Sequence, residues 1–243
     1  MNEIGLFCGT FNPIHLGHLL IAECARDQFK LAKVIFVTSP MPPHRSGGLL
    51  PGWDRHAMVE AAIAGNENFE ASTVELERPG PSYTIDTVKQ IRSLYNNDVR
   101  INLIIGGDNV PFLKEWHHAN ELTTLCRLLV APRLRYASDN IGQTNGNKNG
   151  GENTVLKTIE DGRSGEGGEG GKGKINRQSS VEAQAANLPG ADLTVIDFPG
   201  IAISASTIRK RIEAGQSVLY MVPPAVNKII IAKKYFMTES KKP

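Results

Sequence analysis

Short apolar runs separated by segments of helical pattern recur along this chain, and that alternation constrains the fold more than any other feature. Ile4 to Cys8 is the first run, Val34-Ile35-Phe36-Val37 the second, and Phe69 to Leu76 the third, closed by Arg78-Pro79-Gly80-Pro81. Ile101 to Ile105 has the character a buried parallel strand requires, Arg127 to Ala131 follows it, and Leu193 to Phe198 is the last. Between them lie helical patterns: one from near Leu16, one from Ala57 to Ala64, one N-capped by Ser82 and running to about Tyr95, and a stretch containing Trp116. A helical pair, from about Ser204 to Ala214 and from about Pro224 to Phe236, ends the chain. Strands separated by helices of this length make a parallel sheet covered on both faces. The predicted class is α/β, a doubly wound parallel sheet.

One segment interrupts the alternation. Eleven of the 24 glycines fall between Gly142 and Gly173, mixed with Asn, Glu, Lys and Ser and almost no apolar side chains. Such a composition cannot bury enough surface to offset its ordering entropy. The chain is therefore read as one domain, residues 1–243, with a disordered insertion at about 136–189. The insertion contains a decoy: Gly168-Glu169-Gly170-Gly171-Lys172-Gly173-Lys174 has phosphate-loop spacing. Ile175, however, replaces the Ser or Thr that would meet magnesium, and no strand precedes it.

Composition excludes several classes of partner. A net charge of +2 from 27 basic and 25 acidic residues gives no nucleic-acid-coating surface, but leaves room for a local site for a small anion. The first residues lack a basic leader and a long apolar run, so a cytoplasmic location is expected. Cys8, Cys24 and Cys126 are odd in number and widely spaced, which suits buried thiols rather than disulfides or zinc.

In an open parallel sheet ligands gather at the carboxyl ends of the strands. After the first strand comes Gly9-Thr10-Phe11-Asn12-Pro13-Ile14-His15-Leu16-Gly17-His18, where a glycine admits backbone close to an anion and two histidines flank a helix start. After the second comes Pro42-Pro43-His44-Arg45, a stiff turn carrying an imidazole and a guanidinium. Gly106-Gly107-Asp108 offers close approach and a carboxylate for ribose hydroxyls. The last strand leads to Ile203-Ser204-Ala205-Ser206-Thr207-Ile208-Arg209, whose three hydroxyls open a helix and can cradle phosphate oxygens. Each element alone is an ordinary turn or cap. Two anion sites on one sheet are not.

With both ends in view the chain resembles the nucleotidyltransferase superfamily marked by an amino-terminal (H/T)-x-G-H and a carboxyl-terminal I-S-x-(S/T)-x-(I/V)-R. Within it, Pro42 to Arg45, Pro81-Ser82-Tyr83-Thr84 with Thr87, Ile105 to Asp108, Trp116 and Pro223 resemble bacterial nicotinate-nucleotide adenylyltransferases. The resemblance covers about residues 3 to 134 and 190 to 236 and implies a Rossmann-like fold with the helical pair at its end. It implies transfer of AMP from ATP to nicotinic acid mononucleotide, with Mg2+ held by the triphosphate and no protein ligand to the metal.

Carried onto this sequence, the resemblance makes His15, His18 and Arg209 catalytic. It assigns ATP to Gly9, Thr10, Phe11, Gly106, Asp108, Ser204, Ser206 and Thr207, and the acceptor nucleotide to His44, Arg45, Thr84, Trp116 and Arg133. Trp116 would stack on the pyridinium, gaining a cation-π term. Trp53 and Arg55 read equally well as structural. The implied partners are small-molecule substrates, with neither nucleic acid nor membrane, and a homo-oligomer is compatible with the sequence.

Three positions depart from the pattern. Cys8 replaces the first of two glycines, Asn12 the commoner Asp, and Phe198 a second Trp that some members carry near the ring. Two alternatives stand: a pantetheine-phosphate adenylyltransferase, which leaves Pro42 to Arg45 and Trp116 unexplained, and a nucleotide sensor without catalysis, which leaves the retained His15, His18 and Arg209 unexplained.

Overall fold

The structure, a computed structural model, describes residues 2–40, 48–132 and 190–237. In chain order these form β1 (Asn2–Gly9), α1 (Leu16–Gln28), β2 (Val34–Thr38), α2 (Gly52–Ile63), β3 (Phe69–Ser72), α3 (Thr84–Leu94) and β4 (Val99–Gly106). There follow a 3-10 helix (Gly107–Glu115), α4 (Ala119–Leu125), β5 (Cys126–Ala131), β6 (Leu193–Val195), α5 (Ala205–Glu213) and α6 (Pro224–Lys233). The expected insertion, the Gly168 to Lys174 motif, and His44, Arg45 and Arg133 lie outside the described residues. No helix among those described is long and apolar enough to cross a membrane.

The strands form one sheet in the order β3-β2-β1-β4-β5-β6, and every neighbouring pair is parallel. In β1, Leu6 sits level with Ile35 on one side and Leu103 on the other. Period-two alternation then sorts the core into two layers. Leu6, Ile35, Val37, Leu103, Ile105 and Val130 pack beneath α3 and α4, with Val88, Ile91 and Leu122. Phe7, Phe36, Ile104 and Leu129 face the other way, toward Ala22 of α1, Met58 of α2, Ile208 of α5 and Val226 of α6. Helices cover both faces, as the apolar runs demand.

Several boundaries differ from the expectation, each for a local reason. β3 stops at Ser72 because Thr73 begins a turn, its carbonyl accepting from the N–H groups of Leu76 at 2.7 Å and Glu77 at 3.0 Å. α2 begins at Gly52 rather than Ala57, directly after Pro51, so Trp53 and Arg55 lie inside it. The residue capping α3 is Tyr83 rather than Ser82, whose hydroxyl instead accepts from Arg78 at 3.3 Å. Trp116 closes the 3-10 helix instead of lying within a helical stretch. β6 ends at Val195, and α6 ends at Lys233 before Lys234 turns left-handed with φ 54. Within β4, Asn102 interrupts the apolar run and is buried, its amide donating to Glu3 Oε2 at 3.1 Å.

The cysteines are unbridged. Cys126 is buried and its thiol is pushed up to about 12 by that burial, whereas Cys8 and Cys24 are only partly covered. Cys8 is an ordinary strand residue opposite Val37, so the departure from glycine there requires no left-handed backbone.

Candidate active site

β1 and β4 lie side by side at the centre of the sheet, and the chain leaves them toward opposite faces, α1 on one side and the 3-10 helix with α4 on the other. A crevice opens at such a switch point, outside the carboxyl ends of the strands. Gly9 and Gly106 stand at its two lips.

The loop after Gly9 is built around Phe11, which is buried and takes φ 45. Its ring packs edge-on against Phe7 at 5.6 Å and His18 at 5.2 Å between centroids. A Cβ on Gly9 would fall 2.8 Å from that ring, so the loop can fold back over β1 only at glycine. Phe11 thus packs as support for the loop.

His15 is the residue capping α1, and His18 is three residues into the helix. The backbone N–H of His15 donates to His18 Nδ1 at 3.2 Å, which leaves Nε2 to carry the proton of the neutral ring. The two imidazoles stack with centroids 3.7 Å apart and planes at 24°. Burial holds His18 well below the usual histidine range, and the neighbouring His15 adds to the effect. Burial also lowers His56, only partly opposed by Glu60. The unfolded chain, whose histidines titrate normally at about 6.5, therefore binds more protons than the fold below that pH, and stability is lost as pH falls. The melting temperature is expected to drop between pH 7 and 5.5, and to drop less in a His56→Gln variant. A melting temperature that is flat over this window would show that both rings accept charge within the fold.

Across the crevice, α5 begins at Ser204. Its hydroxyl accepts from the Thr207 N–H at 3.1 Å and lies 2.9 Å from Ser206 Oγ and 2.8 Å from Thr207 Oγ1. Ser206 and Thr207 are exposed, so hydroxyls and unbonded N–H groups of the first turn face solvent together. Arg209 lies one turn in, and its Nη1 donates to the carbonyl oxygen of Asn12 at 2.8 Å. This bond joins the loop after β1 to the start of α5, two elements at opposite ends of the sequence. Leu16 N–H donating to Met221 O at 3.0 Å supports the same junction.

Gly106 and Asp108 form the other lip. A Cβ on Gly106 would lie 2.5 Å from Asp108 Oδ1, so glycine lets the carboxylate fold against the strand end while remaining exposed. Thr84 opens α3, and Trp116 is half-buried against the layer under α3 and α4. The two segments are tied by Tyr83 stacked on His117, centroids 4.2 Å apart. Thr87 lies beneath them, buried, donating to Glu75 Oε1 at 2.7 Å and accepting from Arg78 at 3.2 Å. Phe198 packs in the layer under α1 and α5, the face opposite Trp116, and belongs to the core.

Two residues matter more than sequence reasoning allowed. Asn12 is buried, and its side chain donates to Gly48 O at 3.0 Å and accepts from the Leu50 N–H at 3.4 Å. An aspartate could accept from Leu50 but not donate to Gly48. Arg55 is buried completely on the inner face of α2. A signal existed in the sequence: Arg55 is in phase with Met58, Val59 and Ile63, the apolar stripe of that helix.

The cytidylyltransferase-like family model matches residues 6–211. A relative from Synechococcus sp. (strain JA-3-3Ab), named "Probable nicotinate-nucleotide adenylyltransferase", is 34% identical, covering 97% of this chain and 95% of its own. One of the same name from Caldicellulosiruptor bescii is 34% identical over 96% of this chain and 98% of its own. Among solved structures, a Plasmodium falciparum nicotinic acid mononucleotide adenylyltransferase complexed with NaAD matches with TM-score 0.66 at 15% identity, covering 97% of this chain and 98% of that one, which supports the fold. The fold with its central switch point and the near-full-length likeness agree, and the chain belongs to the cytidylyltransferase-like family and, within it, to the nicotinate-nucleotide adenylyltransferases.

Proposed function

We propose that the crevice joins AMP from ATP to nicotinic acid mononucleotide, releasing pyrophosphate and forming the deamido dinucleotide. The observation that carries the reading is the bond from Arg209 to Asn12 O, which draws the starts of α1 and α5 together as two sides of a triphosphate site. The acceptor's own phosphate attacks the α-phosphorus in line, so the protein supplies alignment and charge rather than a nucleophile.

Each residue then has a physical task. His18, donating through Nε2, meets the phosphate oxygens on which charge grows, and His15 holds it by stacking and through its backbone N–H. Thr10 binds a phosphate oxygen at the loop. The α5 start, with Ser204, Ser206, Thr207 and Arg209, takes the departing pyrophosphate. Asp108 holds a ribose, with Gly106 making room. Trp116 is the platform for the pyridine ring and Thr84 the donor edge toward its carboxylate. His44, Arg45 and Arg133 are assigned to the acceptor as well, on the family pattern.

ATP is taken as its magnesium complex, the ion neutralising phosphate charge. Among the described residues no three His, Cys, Asp or Glu side chains gather into a group that could hold a metal ion. Pyrophosphate release should be followed with ATP, magnesium and, separately, nicotinic acid mononucleotide, nicotinamide mononucleotide and phosphopantetheine. The first acceptor is expected to turn over fastest, and EDTA in excess of the metal should abolish release without shifting the melting temperature of the ligand-free protein. Preferred turnover of phosphopantetheine, or release undiminished by EDTA, would overturn the reading.

A further inference from the structure

Ser82 has the chemistry of a helix cap, yet its hydroxyl is engaged elsewhere: it accepts from Arg78 Nη1 at 3.3 Å, across the Pro79-Gly80-Pro81 segment. The same Nη1 donates to Thr87 Oγ1 at 3.2 Å, and Nη2 donates to Gln90 Oε1 at 2.6 Å. One planar fork thus holds the residue two before α3 together with residues of its first and second turns. Thr87 and Glu75 are both buried, and the Thr87 hydroxyl has one proton to give. Its 2.7 Å contact with Glu75 Oε1 outcompetes the 3.4 Å contact with Tyr83 O, which leaves a lone pair for Arg78. Carboxylate, hydroxyl and guanidinium form a chain of charge-assisted bonds in which each polarises the next.

The fork keeps the start of α3 open. Tyr83, the residue capping that helix, makes no side-chain cap bond, and its carbonyl accepts from the N–H groups of Asp86 at 3.1 Å and Thr87 at 3.3 Å. The N–H groups of Thr84 and Ile85 have no hydrogen-bond partner among the described residues. A serine capping the helix from position 82 would accept from one of these two groups. Arg78 holds the Ser82 hydroxyl away from them. The stack of Tyr83 on His117, centroids 4.2 Å apart, ties this helix start to the segment carrying Trp116.

We propose that Arg78 is a positioning residue that sets acceptor specificity, keeping Ser82 off the start of α3 so that Thr84 remains available to the carboxylate on the pyridine ring. The inference rests on the adenylyl-transfer reading for the identity of the acceptor. Arg78 acts through Ser82, Thr87 and Gln90. A carboxylate gains more from an uncapped helix start than a neutral carboxamide does, so the device favours nicotinic acid mononucleotide over nicotinamide mononucleotide.

Arg78→Met keeps the aliphatic stem and removes the fork. Assayed well below its melting temperature, it is expected to raise KM for nicotinic acid mononucleotide about tenfold, the scale of a lost charge-assisted bond, with KM for ATP nearly unchanged. The preference for the acid over the amide, as a ratio of kcat/KM values, should fall by about the same factor. Adding Ser82→Ala removes the competing cap and should restore most of that preference. Val88→Ala, which trims a buried side chain of the same helix, should lower the melting temperature and leave the preference alone, as a merely structural Arg78 would. Unchanged acceptor KM and preference in Arg78→Met, an equal rise in both KM values, or a loss that Ser82→Ala does not relieve would each overturn the proposal. If Arg78→Met does not fold, Arg78→Lys carries the test, because one ammonium cannot span Ser82, Thr87 and Gln90. Its acceptor KM should rise about threefold with the same rescue, and an unchanged value would overturn the proposal. Wild-type protein that releases no pyrophosphate with any acceptor would mark failure of the adenylyl-transfer reading instead. Calorimetric binding of nicotinic acid mononucleotide would then decide the positioning role: tighter to wild type than to the variant if it holds, and equal or absent in both if it does not.

Discussion

Replacing His18 with alanine is expected to lower kcat by about 10²- to 10³-fold, the usual cost of deleting one preorganised donor aimed at developing charge. The variant should still melt cooperatively. Both expectations follow from the same geometry. The ring lies at the start of α1, where the stacked His15 and the His15 N–H fix its plane and leave Nε2 as the donor. Burial, and His15 beside it, hold its pKa well below the usual histidine range. A bound triphosphate reverses that balance, since an adjacent anion favours the imidazolium. The proposed role of His18 requires a donor that gains charge as the reaction proceeds, which lowers a barrier rather than merely tightening binding. His18→Asn, which keeps a donor without the capacity to charge, should recover only part of the loss. Near-wild-type turnover of His18→Ala in the pyrophosphate assay would remove His18 from the mechanism.

What the sequence made legible, and what it hid, divides along a physical line. The sheet and its two-layered core were legible because each strand carries its own period and each helix its own spacing; Leu6 and Leu103 announce their layer without reference to each other. The two helix starts were legible as candidate anion sites because glycine, hydroxyl and histidine at a strand-to-helix junction act locally. Strand ends were less so: β3 ends at Ser72 through a turn that only backbone bonding reveals. Arg55 was hidden for a deeper reason. Its partners are carbonyl oxygens, which every residue possesses, so no side-chain pattern marks them. Phe11 was half legible: its place in the motif marks the loop, and only its packing against Phe7 and His18 shows that its ring belongs to the core. Asn12 shows the same limit: its amide looked like a lost charge, and only the contact with Gly48 shows what a donor at that position does.

Arg209 should be as sensitive as His18, and for a reason that distinguishes the two. Arg209→Ala is expected to reduce kcat by about 10²- to 10³-fold, or about 3–4 kcal/mol of transition-state stabilisation. Its Nη1 donates to Asn12 O at 2.8 Å, and the residue stands one turn into α5, beyond the Ser204 hydroxyl cluster. In the proposed reaction the guanidinium both positions the loop after β1 and brings charge to the phosphates. Arg209→Lys retains a point charge without the fork, and can serve one of these tasks at a time. It is expected to recover about tenfold over alanine, with KM for ATP raised and KM for the acceptor nearly unchanged, because the proposed acceptor residues Thr84 and Trp116 belong to the layer on the other face of the sheet from α5. Measuring both constants for the three proteins separates the roles. Equal turnover of Arg209→Lys and wild type would show that charge alone suffices and that the bond to Asn12 is incidental, whereas full turnover of Arg209→Ala would show that pyrophosphate leaves without help from α5.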